Sequence, residues 1–128
     1  MNIKNWSKLN FRLVALIYTL GISYISLIPL NDMHLPNFNF ADKIVHFLLY
    51  FFMSILWLMA YPCLWKKKKI YFIVLVAWGI MIEILQANFV QGRSGEILDV
   101  LFNTAGILFG FYINYKFAKK IIIKKKEI

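Results

Sequence analysis

Asp42, Lys43, His46, Glu83, Gln86, Arg93, Glu96, Asp99 and Asn103 bring carboxylates, bases and amides into a chain of 128 residues that is 61% hydrophobic and only 16% charged. Such a set suits three kinds of chemistry. Lys43 and Arg93 suit a phosphate or carboxylate, because fixed cations make charge-assisted hydrogen bonds to anions. Asp42 and His46 stand four apart, on one side of a helix, and with Glu83 and Asp99 would form an oxygen-rich metal shell. Lys43 and Arg93 already offer those carboxylates positive charge, so neither a metal nor a cofactor is expected. His46, Glu83 and Asp99 are the candidate acid–base or orienting groups, with Gln86 and Asn103 as neutral hydrogen-bonders. No nucleophile elbow, P-loop or zincin pattern accompanies them, and Ser54, Ser94 and Thr104 have no catalytic context, so no reaction is assigned.

The elements that must position these groups are apolar helices. Soluble domains are roughly 45–50% apolar, and this chain lies well above that range. It reads as one all-α domain over residues 1–128, a four-helix transmembrane bundle. Four stretches approach the roughly 20 apolar residues that a hydrocarbon core requires: about 9–30, 41–65, 70–90 and 97–117. The segment NDMHLPNFNF between the first two reads as an irregular connection around Pro36, with Phe38 and Phe40 at the membrane surface. The single cysteine, Cys63, excludes a disulfide framework within the chain and reads as a small apolar filler.

Charge gives the orientation. The net charge is +9, and the bases gather in three places: Lys4, Lys8 and Arg12; Lys66 to Lys69; and Lys116 with the five lysines that follow it. Lys43 and Arg93 alone lie on the other side. Bases are retained in cytoplasmic loops, so both termini are expected in the cytoplasm. Basic groups that flank spans point to membrane lipids as partners and not to nucleic acid, and the lysine-rich tail reads as a topology anchor that also meets anionic lipids. A secretory signal peptide is a competing reading of the first span. The length of the run and the lack of a clear A-x-A site disfavour it.

In that orientation the polar groups share one layer. At 1.5 Å per residue, Glu83 lies roughly 10 Å below the outer end of its span, His46 about 6 Å, and Asp99 and Asn103 about 5–10 Å. On the fourth helix Glu96, Asp99, Asn103, Gly106 and Gly110 form one stripe, polar at its outer end and small at its inner end. Gly106 and Gly110 make a G-x-x-x-G pair that lets a helix approach closely, within the chain or from a partner subunit. Asp42, His46, Tyr50 and Ser54 step along the second helix with Lys43 beside them, and Gly79, Glu83 and Gln86 share a side of the third. Several ionisable groups in hydrocarbon are costly unless they face one another, so a polar pocket at the outer end of the bundle is expected. The second and fourth helices both begin there, with Ser94 as a plausible N-cap, and their N-termini add partial positive charge that suits a phosphorylated lipid headgroup.

These residues also carry a resemblance. DKIVHFLLYFFMS (42–54) followed by EILQANFVQGRSGEILDVLFNTAGILFG (83–110) resembles the VanZ-like family of small bacterial integral membrane proteins. The shared pattern is Asp-Lys-x-x-His-Phe-x-x-Tyr, then Glu-x-x-Gln, a Gly-Arg turn, and Asp-x-x-x-Asn-x-x-Gly. Gln91 stands before the Gly-Arg turn where that family often has Pro. The resemblance implies a multi-pass protein of the bacterial cytoplasmic membrane, linked to the cell envelope and to glycopeptide resistance, notably teicoplanin. It supplies no established reaction.

The expected ligand-binding set is therefore Asp42, Lys43, His46, Tyr50, Glu83, Gln86, Arg93, Asp99 and Asn103. Its expected ligand is an anionic envelope component, either a lipid-linked cell-wall precursor or a glycopeptide. A membrane enzyme acting on a lipid phosphate or headgroup, and a packing subunit of a membrane complex, are the alternatives.

Overall fold

The computed structural model describes residues 3–29, 41–61, 66–90 and 96–126, and among them all regular structure is helical. The helices are α1 (Ile3–Ser26), α2 (Ala41–Ala60), α3 (Lys68–Phe89) and α4 (Ile97–Lys126).

Local chemistry sets the ends. After Ser26 the chain tightens into a turn, with Leu27 N–H donating to the Ser23 and Tyr24 carbonyls and Ile28 N–H to that of Ile25, just before Pro29. The residue before a proline is pushed away from helical angles, so α1 stops there and not at residue 30. The same rule ends α2 at Ala60, short of the expected residue 65, because Tyr61 precedes Pro62. At the end of α3, Val90 turns extended at φ −109° and ψ 113°, its N–H still donating to Gln86 O. The Glu96 carbonyl accepts from the Asp99 and Val100 amides, which puts the start of α4 at Glu96. Ser94, the expected cap, lies outside the described residues. Asp42 and Asp99 each occupy a first helical turn, where the macrodipole favours negative charge.

Three helices are long and apolar enough to cross a membrane: Ala41–Ala60, Lys68–Phe89 and Ile97–Phe117. The apolar part of α1, Asn10–Ser26, is shorter. Between 28% and 39% of each spanning stretch is buried inside the bundle, so most of its apolar surface faces outward. Leu13, Ile17, Ile73, Val74, Leu101 and Leu108 are among the exposed side chains. Acyl chains solvate such a surface, and intrahelical bonding satisfies the backbone that lies within them.

α2 and α4 run side by side in the same direction, with Lys43 meeting Asp99 and His46 meeting Asn103. α3 runs against α4, so Glu83 meets Asn103 at one end while the Tyr71 and Phe111 rings meet at a tilt, centroids 5.6 Å apart, at the other. α1 lies mainly on α2 and touches α3. Tyr50, Met53, Leu58, Tyr71, Leu75, Ile22 and Ile107 form the core.

The tightest seam is α2 on α4. A Cβ on Gly106 would overlap the Phe47 carbonyl oxygen and come 3.0 Å from the Phe51 nitrogen. One on Gly110 would overlap Ser54 Oγ and come 2.9 Å from the Phe51 carbonyl oxygen. The G-x-x-x-G face thus packs against a helix of the same chain, one of the two uses expected for it. Phe47, Phe51 and Phe109 flank the seam, with Phe51 and Phe109 centroids 5.6 Å apart.

Gly110→Leu should therefore destabilise the protein by about 3 kcal/mol or more, since backbone blocks the added volume. Gly21→Ala, where nothing lies within 4 Å of the new carbon, should leave stability unchanged or slightly raised. Unfolding midpoints in mild detergent compare the two.

Candidate functional site

The polar groups converge at the end of the bundle where α2 and α4 begin. Lys43 is buried, and its Nζ lies 2.6 Å from Asp99 Oδ1 and 2.6 Å from Glu96 Oε2, with Asp42 Oδ2 at 3.8 Å. One ammonium thus bridges two carboxylates three residues apart on α4, one helical turn of the same face. Asp99 is 4% exposed, and its side chain is held as an ion pair with Lys43.

A second group adjoins the first. His46 Nδ1 lies 3.1 Å from Asn103 Oδ1 and 3.4 Å from Glu83 Oε1, and Asn103 Nδ2 donates to Glu83 Oε1 at 3.2 Å. The Asn103 oxygen can only accept, so in this network Nδ1 carries the proton. His46 Nε2 faces outward, 3.8 Å from Asp42 Oδ1. Asn103 therefore links one helix on each side, reading α2 with its oxygen and α3 with its nitrogen.

Of the other expected members, one stands at the edge of the cluster and two sit elsewhere. Asp42 is a rim residue with its side chain 53% exposed, while Lys43, expected beside the buried stripe, is inside it. Gln86 is buried but leaves the cluster, donating from Nε2 to the Ser26 carbonyl at 2.6 Å and so closing the end of α1. Tyr50 lies a turn deeper in the core, its ring 3.1 Å from the place a Cβ would take on Gly79. Arg93 lies outside the described residues.

Other polar contacts carry no clear sequence signal. Trp57 Nε1 donates to Thr19 Oγ1 at 2.9 Å, Trp78 Nε1 to Ser23 Oγ at 3.3 Å, and Tyr18 OH to the Leu49 carbonyl at 3.1 Å. Each partner alone reads as core. Glu96 was expected on the polar stripe but not as a ligand of Lys43. The three-residue spacing to Asp99 is the signal that points to it.

The charge balance bears on the expected anion contact. Among the described residues the layer holds four carboxylates, on Asp42, Glu83, Glu96 and Asp99, against the Lys43 ammonium and the His46 imidazole. The Lys43 charge is already used by Asp99 and Glu96, so it is no free contact for an anion. Donor atoms of Asp42, His46 and Asp99 lie within 4.8 Å of one another, close enough for a metal ion. The Lys43 ammonium reaches both of those carboxylates, and a cation there would have to displace it.

Glu83 is the member left incomplete. It is 4% exposed, and its Oε2 has no hydrogen-bond partner among the described residues. It also lines a groove of about 210 Å³ between α3 and α4.

The VanZ/LLP1 family model matches residues 3–119, which takes in α1, α2, α3 and most of α4. The chain belongs to the VanZ/LLP1 family. Searches of the curated proteins and of the solved structures found no match to it. This VanZ-like protein is a membrane protein, and family membership and apolar helices agree on that point.

Removing Asn103 tests the linkage. Asn103→Leu would take one hydrogen-bond partner from His46 and one from the Glu83 carboxylate, leaving them their mutual contact at 3.4 Å, and should lower stability by roughly 1–3 kcal/mol. Thr104→Val, which removes only a hydroxyl bonded to its own helix at Val100, should change it by less than about 1 kcal/mol. Unfolding in a detergent titration reads both.

Proposed function

We propose that this VanZ-like protein is a multi-pass protein of the bacterial cytoplasmic membrane, with both termini in the cytoplasm, that binds a cell-envelope component in its polar layer from the outer leaflet. The observation that carries this reading is the buried Glu83 carboxylate with one oxygen unpartnered among the described residues. Polar glue between helices is complete when its groups satisfy one another, as His46 and Asn103 do; Asp99 Oδ1 also lacks a hydrogen bond among the described residues, but the Lys43 ammonium lies 2.6 Å from it as a counter-charge. A buried acceptor left open beside a groove is the mark of a site that receives something.

Lipid-linked cell-wall precursors and glycopeptide antibiotics are the candidates, and they connect the protein to glycopeptide resistance. Both carry several polar groups, so the sign of the contact is a separate matter from the binding. The pairing of Lys43 leaves the holding of an anionic group to Arg93 and the helix N-termini. Binding without transformation is favoured, because Ser54 and Thr104 donate to carbonyls of their own helices, Phe51 and Val100, and among the described residues no hydroxyl is hydrogen-bonded to His46.

Purified protein in nanodiscs, titrated with a lipid-linked precursor and with a glycopeptide, tests the reading. Glu83→Gln keeps the shape and the acceptor that Asn103 uses, so it should weaken binding about tenfold or more while shifting the unfolding midpoint by only a few degrees. Arg93→Gln should do the same if the bound group is anionic. Loss of stability in step with loss of binding would assign the layer to helix packing alone.

A further inference from the structure

We propose that the groove between α3 and α4 holds a primary ammonium group carried by a membrane lipid, an aminophospholipid headgroup, on the open oxygen of Glu83. The inference rests on the reading of the polar layer as a ligand site, and names the chemistry that the site recognises.

The groove is lined by Ile80, Glu83, Ile84 and Asn88 from α3, and by Glu96 and Ile97 from the start of α4, with Ala87 and Val100 completing it. Its only ionisable groups among the described residues are two carboxylates. Glu83 is nine-tenths buried, and Oε2 needs an N–H or O–H donor that the described residues do not supply. The side chain of Glu96 is 48% exposed and carries its negative charge at the same end. Asn88 donates its N–H to the Ile84 carbonyl, which leaves its side-chain oxygen as a further acceptor. An ammonium brings three donors and a positive charge to such a set of acceptors, whereas a phosphate would meet the Glu83 carboxylate beside a Glu96 whose charge Lys43 already pairs.

The rest of the lining says what carries the ammonium. Ile84 is 56% exposed and Ile97 80% exposed, and both lie on membrane-spanning helices, so the open side of the groove faces acyl chains. A volume of about 210 Å³ takes roughly seven waters at ~30 Å³ each, enough for a small headgroup with its tails outside. Among the described residues no aromatic ring lines the groove. Quaternary ammonium groups are held by aromatic faces, and they have no N–H to give Oε2. A primary amine is therefore favoured over a choline headgroup.

Native mass spectrometry of the full chain, released from nanodiscs of equal phosphatidylethanolamine, phosphatidylcholine and phosphatidylglycerol, tests this. Wild-type protein should retain phosphatidylethanolamine at least about tenfold over phosphatidylcholine, the scale of one hydrogen bond between charged groups. Excess soluble ethanolamine should not displace it. Glu83→Gln should abolish the preference. Ile84→Trp, which fills the groove from its exposed wall without touching His46 or Asn103, should abolish it too, and keeps the test valid if Glu83→Gln folds poorly. Retention of phosphatidylglycerol instead, lost in Arg93→Gln, would overturn the ammonium assignment while leaving the layer a ligand site. Equal retention of all three lipids by wild type would overturn it as well. Displacement by soluble ethanolamine would overturn the lipid as its carrier.

Discussion

Inside a bundle surrounded by acyl chains, a charged side chain has no water to fall back on, and its partners must come from the protein. An ionised group at the bilayer centre is worth roughly 2.5–3.5 kcal/mol against insertion. Lys43, buried on α2, meets Asp99 and Glu96 on α4, and this pairing fixes which face of each helix turns inward. Once it forms, the rest of the α2–α4 seam is determined. His46 falls opposite Asn103 one turn on, and Gly106 and Gly110 fall against the backbone of Phe47 and Phe51. The polar end sets the register, and the glycine end permits the close approach that the register demands.

α1 is held differently. It has no charged pair with the other helices among the described residues, and the indole N–H groups of Trp57 and Trp78 reach its hydroxyls at Thr19 and Ser23. Gln86 caps its last turn through Ser26 O. These bonds suit a helix whose apolar stretch is shorter than the others, since each satisfies a polar group that would otherwise face lipid. The same arrangement frees α3 and α4 to shape the groove beside Glu83, on the side away from α1.

Much of this was legible in the sequence, for reasons that differ by element. The stripe Glu96, Asp99, Asn103, Gly106 and Gly110 alternates steps of three and four, which tracks a 3.6-residue period closely, and all but Glu96 at its outer end are buried. On α2 the expected series Asp42, His46, Tyr50 and Ser54 uses only steps of four, each drifting about 40° round the helix. The buried face therefore begins at Lys43, and Asp42 falls on the rim. Gln86 shares the inward side of Glu83 but sits a turn nearer the helix end, where α1 terminates, and a one-dimensional pattern does not carry that neighbour. Which carboxylates claim Lys43 is not carried by the linear pattern either. Glu96 does so across 53 residues of sequence.

The claim that the Lys43–Asp99 pair organises the bundle is most directly tested by a double-mutant cycle in unfolding free energy, with Lys43→Met, Asp99→Leu and the double variant. Breaking one side of a buried pair strands the other charge, so each single change should cost about 3 kcal/mol or more. The double variant should recover a large part of that loss, giving a coupling energy of roughly 2 kcal/mol. Losses that simply add, to within about 0.5 kcal/mol, would contradict the account.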